Sequence, residues 1–182
     1  VGGTALGVVQ AATKLGDRVG MLAFDRQVRS ILVPTNGKSQ LGRAAEAMYM
    51  LEPDYSESAY QVAFNDATAR FRRRSLFIVL TDLVEAVVEQ ALLPALPTIT
   101  RRHLVVVAAV QDPAVTAWAA GGAHRWASEA YREAAAVNVL HERARAIARL
   151  RAAGAMVVDA APGQLATELV DKYLEVKASG RL

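Results

Sequence analysis

Arg73-Arg74-Ser75-Leu76-Phe77-Ile78-Val79-Leu80-Thr81-Asp82-Leu83-Val84-Glu85 decides the fold of this chain. Its apolar core, 76–80, is unbroken, with basic residues before it and Thr81-Asp82 after it. A run that short, with β-branched and aromatic members, reads as a strand buried on both faces. It ends in a hydroxyl and a carboxylate, and the residues beyond have helical character. In an open α/β sheet, ligands bind outside the carboxyl ends of the strands. Asp82 is therefore the first candidate functional residue, either as a ligand-binding acid or as a helix cap.

Upstream, Gly2-Gly3-Thr4 reads as a loop, with Thr4 capping a helix over 5–15 that Gly16-Asp17 ends. Residues 18–24 form a buried strand, Asp25-Arg26 a tight turn, and 27–33 an alternating, half-exposed second strand at the sheet's edge. Pro34-Thr35-Asn36-Gly37 is a turn. A helix over 39–51 follows, with Leu41, Ala44, Ala45, Met48 and Leu51 on one stripe. A further helix reaches about Arg72.

Downstream, a helix over 83–93 is expected to stop at Pro94 and Pro97. Residues 103–110 are the most apolar strand, and Asp112-Pro113 starts another helix. Gly121-Gly122 is a break. The longest helix begins at Ser128 and ends at Gly154, which suits a C-cap. A short strand over 155–158 ends at Asp159, and a last helix covers 164–177. Strand, helix, strand, helix, strand argues for a mostly parallel sheet covered by helices on both faces. One domain over 1–182 is expected.

Composition narrows the function. A chain of 182 residues with 53% hydrophobic residues has enough material for a sizeable core. No apolar run approaches the ~20 residues that span a bilayer, and no Cys is present for disulfide or thiol chemistry. The net charge of +3 is mild. The basic clusters at 70–74, Arg101-Arg102-His103 and 143–151 read as solvated helix faces and strand entrances, and no nucleic acid is expected.

The strands exit into Asp25, Asp82, Asp112 and Asp159, a set that suits a hard, oxygen-liganded cation such as Mg²⁺. Each acid also has a local role available. Asp25 can shape the hairpin turn, Asp112 can cap its helix, and Asp82 with Glu85 has capping-box spacing. Gly37-Lys38-Ser39 has the ending of a phosphate loop, but Leu32 stands where the motif needs glycine. His103, His124 and His141 have no metal-ligand spacing and read as surface or hydrogen-bonded residues. Trp118 and Trp126 flank the Gly121-Gly122 loop, either packing it down or anchoring a partner. No nucleophile, base and oxyanion hole assemble.

Several stretches, in consistent order, carry a family resemblance. They are Gly16-Asp17-Arg18-Val19-Gly20-Met21-Leu22-Ala23-Phe24-Asp25, Leu51-Glu52-Pro53, Arg72-Arg73-Arg74-Ser75-Leu76, Thr81-Asp82-Leu83, Arg101-Arg102-His103-Leu104-Val105 and Leu169-Val170-Asp171-Lys172-Tyr173-Leu174-Glu175-Val176-Lys177. The chain resembles the C-terminal region of the domain of unknown function 58 family, whose fold is von Willebrand factor type A-like. The resemblance implies a three-layer, doubly wound, mostly parallel sheet with one antiparallel edge strand. It also implies a metal-ion-dependent adhesion site: an Asp-x-Ser-x-Ser loop after the first strand, a Thr or equivalent in a second loop, and an Asp after a later strand. A partner's carboxylate completes the cation's shell there, so the site binds rather than catalyses.

By this resemblance Asp82 is the third element. No central strand followed by an Asp-x-Ser-x-Ser loop stands ahead of the first helix, which the resemblance reads as N-terminal truncation. Gly2-Gly3-Thr4 resembles the second loop's Gly-Gly-Thr but precedes the first helix, so the second loop is expected at 52–60. An ungapped alignment sets Glu57-Ser58 on the family's Glu-Ser and leaves Ala59 where an acid commonly stands. A gapped alignment through Glu52-Pro53-Asp54-Tyr55 restores an acid at Asp54. The metal candidates are Asp82, Asp54 and Ser58, and the ungapped alignment implies that Mg²⁺ binds weakly or not at all. Without the central strand, a five-stranded sheet is expected.

The leading expectation is a non-enzymatic interaction domain. The resemblance implies a MoxR-type AAA ATPase partner and a cytoplasmic domain of a parent anchored in the membrane through upstream segments. The rival is a metal-assisted hydrolase using the strand-end aspartates around Asp82.

Overall fold

A computed structural model describes residues 2–51, 58–122 and 126–182. The 76–80 run is strand β3 (Leu76–Leu80), and it pairs in parallel with β4 (Leu104–Val110), which pairs in parallel with β5 (Met156–Ala160). Strand β1 (Val19–Phe24) forms a separate antiparallel pair with β2 (Val28–Thr35). Eight helices punctuate the described chain: α1 (Gly2–Lys14), α2 (Ser39–Tyr49), α3 (Tyr60–Arg70), α4 (Glu85–Val87), α5 (Leu93–Thr100), α6 (Pro113–Ala119), α7 (Ala127–Ala152) and α8 (Leu165–Ala178).

Strand alternation explains the layers, because successive side chains point to opposite faces. Val105, Val107 and Ala109 of β4 face a core shared with Phe64 of α3, Leu96 and Ile99 of α5, and Leu150 of α7. Val106 and Ala108 face the other way, onto Leu165 and Leu169 of α8, with Val8 of α1 alongside. The fold is mixed α/β, with helices against both faces of the parallel sheet. A third cluster joins Val9, Leu32 and Ala44 beneath the hairpin.

The five-stranded sheet does not form among the described residues: the β1–β2 pair and the β3–β4–β5 sheet share no ladder. The exits of β1 and β3 are linked instead through α3's start. The Ala59 amide donates to the Asp25 carbonyl at 2.7 Å, while the Tyr60 hydroxyl meets the Thr81 hydroxyl at 2.5 Å. A whole tyrosine side chain thus lies between them, a longer reach than the ~4.8 Å between paired strands. Phe24 completes the link by edge-on contacts with Tyr60 at 5.3 Å and Phe64 at 6.5 Å.

Other expectations also change. Thr4 lies inside α1, which starts by Gly2, so it caps nothing and Gly2-Gly3 is not a loop. Pro94 and Pro97 do not end the helix. A π segment at Val88–Leu92 leads into α5, where Pro94 occupies the first turn and Pro97 lies inside. The wider π turn changes the i→i−4 geometry that a proline ring would otherwise strike. Asp159 is the penultimate residue of β5 rather than a residue beyond it. Gly154, at φ +90°, follows the end of α7 in the left-handed region that a C-terminal glycine supplies.

Candidate functional site at the strand exits

Three of the four exit aspartates are structurally committed. The Asp25 carboxylate accepts from the Gln27 amide at 3.0 Å and pairs with the Arg29 guanidinium, two contacts that hold its pKa below the ordinary carboxylate value. It shapes the hairpin turn. Asp112 caps α6, accepting from the Ala114 amide at 2.9 Å. Asp159 receives a forked bond from Arg143 at 2.6 and 3.1 Å, and the same guanidinium donates to the Val110 carbonyl at 2.9 Å. Arg143 therefore stitches the exits of β4 and β5 together from α7. Sequence reading placed it only in a basic helical cluster, because a partner sixteen residues away is set by tertiary packing.

Asp82 differs. It is exposed, and its carboxylate has no hydrogen bond or ion pair among the described residues. The expected capping box is not made: α4 starts later, with Val84 at its N-cap and no side-chain cap. Residues 81–84 are not helical and Val84 is extended, so Asp82 stands ahead of the cap position. Glu85 turns instead to Arg145 on α7, accepting at 2.8 and 2.9 Å, and this bond draws its pKa down.

The groups around Asp82 come from two other elements. Burial pushes the Tyr60 phenol's pKa up; its bond with Thr81 opposes this, and the negative charge of Asp82 adds to the rise. Ser58 is half-buried two residues before Tyr60, whose amide donates to the Ser58 carbonyl at 3.1 Å. Ser58, Tyr60, Thr81 and Asp82 thus occupy one corner at the exits of β1 and β3. Asp54 lies outside the described residues. Mg²⁺ demands a near-octahedral oxygen shell, and among the described residues no group of acids and histidines converges to hold a metal ion. With Asp25 claimed by Arg29, the described donors alone do not fit a resident cation.

Open grooves of about 380 Å³ along β5 and α8 and about 250 Å³ at the α6–α7 hairpin do not include Asp82 in their linings. The histidine expectation fails at one position: His103 is 3% exposed, with neither ring nitrogen hydrogen-bonded among the described residues. His141 is exposed, and His124 lies outside the described residues. Trp126 is 71% exposed and Trp118 is 47% exposed beneath the Arg132 guanidinium, so neither is buried as loop packing requires.

A layered α/β domain with an exposed carboxylate at a strand exit is the class these observations define. The family model described as "Protein of unknown function DUF58" matches residues 1–155, and the chain belongs to that family. No curated protein matches it.

Proposed function

We propose that this chain is a non-enzymatic protein-interaction domain of von Willebrand factor type A-like design, working with a MoxR-type AAA ATPase through the corner around Asp82. The observation that carries the reading is the contrast among the exit acids. Asp25, Asp112 and Asp159 are neutralised or capping, and Asp82 alone keeps a solvent-facing carboxylate without a described partner. A hydrolase would need a second acid or base within reach of the attacked bond. An adhesion surface needs only an exposed, oriented contact residue.

Within this design the two sheets are parts of one doubly wound sheet, with the place of a central strand open between β1 and β3. Supporting this, the residues of β1 are half-buried along its whole length, although the strand is apolar throughout. Divalent metal is not required for the contact, since the described residues alone supply an incomplete adhesion-type ligand set. The parent protein is anchored through segments outside the described elements. No helix among the described residues is long and apolar enough to cross a membrane.

The test is co-elution with a purified MoxR-type AAA ATPase, with Mg²⁺ and with chelator. The proposal expects a complex in both buffers and its loss in Asp82→Arg. Absence of any complex with the wild-type chain overturns it.

A further inference from the structure

Parallel topology sets the entrances of β3 and β4 side by side, and the Leu104 amide donates to the Ser75 carbonyl at 3.0 Å. Arg72, Arg73 and Arg74 precede the first strand, and Arg101 and Arg102 precede the second. All are exposed, and none of their guanidinium groups has a hydrogen bond or ion pair among the described residues. Elsewhere, arginines find carboxylates: Arg70 with Asp66, Arg143 with Asp159, Arg145 with Glu85, Arg149 with Glu89. The opposite edge carries the exit aspartates. Two of these, Asp25 and Asp159, are paired with arginines, whereas the five entrance arginines have no described carboxylate partner.

The local explanation is that basic residues at helix C-termini offset the macrodipole, an effect confined to the last turn. It covers Arg101 and Arg102 at the end of α5. Arg72, Arg73 and Arg74 lie beyond the end of α3 at Arg70, so it does not account for them. We infer that this entrance edge is a docking face for an anionic phospholipid surface, with the strand exits and Asp82 turned away from it. Arginine forks suit bidentate phosphate contact. The tips of adjacent loops meet a plane with many weak contacts. Nucleic acid suits the face less well. Reading a duplex needs a helix or β-ribbon to enter the groove, and these arginines stand on loops. Single strands need exposed aromatic platforms, and Phe71, between Arg70 and Arg72, is half-buried.

The experiment is vesicle co-sedimentation of the full chain at physiological and high salt. It uses phosphatidylcholine alone, phosphatidylcholine with phosphatidylglycerol, and a duplex DNA competitor. The expected result is binding only to the anionic vesicles, lost at high salt as screening shortens to ~3 Å at 1 M. Each arginine strengthens such binding by roughly fivefold. R72Q/R73Q/R74Q should therefore weaken it by on the order of a hundredfold, and R101Q/R102Q, made separately, by about twenty-five-fold. Both variants should keep the wild-type melting temperature and ATPase co-elution, which separates this face from the Asp82 corner. No binding to anionic vesicles, equal binding to neutral ones, displacement by DNA, or unchanged binding in both variants overturns the inference.

Discussion

His103 is buried against Phe77, ring centroids 4.8 Å apart, and neither nitrogen has a partner among the described residues. Burial, reinforced by the neighbouring Arg102 charge, pushes its pKa below the ordinary 6.5. A depressed folded value means that protonation favours the unfolded chain. The associated stability is present above pH 6.5 and is lost as pH falls toward the folded value. Wild-type melting temperature should therefore decline through that window, and His103→Phe should flatten the decline. The paired carboxylates, with ordinary values of 3.8 and 4.5 lowered further, act at more acid pH. An identical slope in the variant would refute this. Asp82 gives the opposite expectation: with no hydrogen bond or ion pair to lose among the described residues, Asp82→Ala should keep stability within about 0.5 kcal/mol, and Mg²⁺ or Mn²⁺ should leave the melting point in place. A larger loss would restore the capping role. The position of Asp82 was legible because a short apolar run announces its own end. Its lack of a cap was not, because capping depends on where the first helical turn closes.

Elements follow the same division. Strands β1 and β3 to β5 were legible to within two residues at either end, since apolar runs and their polar boundaries are local facts. The helix running through Pro94 and Pro97 was not, because proline's usual effect is to break a helix, whereas here Pro94 sits in the first turn of α5 behind a π segment and Pro97 lies inside the helix. Buried Gln40 was also hidden, as it stands off the apolar stripe of α2. Its amide donates to the carbonyls of Val19 at 2.6 Å and Val33 at 3.0 Å and accepts from the Thr35 hydroxyl at 2.7 Å. Gln40→Ala should cost about 3 kcal/mol, since it strands buried polar groups on both strands of the hairpin; denaturant midpoints measure it. A Cβ on Gly20 would meet the Pro34 ring at 2.7 Å and the Leu32 carbonyl oxygen at 2.8 Å. Gly20→Ala should accordingly destabilise by about 1–3 kcal/mol, and a neutral melt would show that the hairpin yields there.

At the scale of the molecule, residue order dictated alternating layers, but it could not dictate how the two sheets meet. That junction rests on Phe24 of β1 against Tyr60 and Phe64 of α3, and on the bond from Tyr60 to Thr81, contacts between elements far apart in sequence. The same junction carries Ser58, Thr81 and Asp82, and the account's central claim is that a partner is met there. Amide hydrogen exchange on the chain, with and without the MoxR-type ATPase, tests this most directly. The account predicts slowed exchange at 25–27, 58–60 and 81–84, with 71–75 and 101–103 unchanged. Protection confined to other surfaces, or none at saturating ATPase, would contradict it.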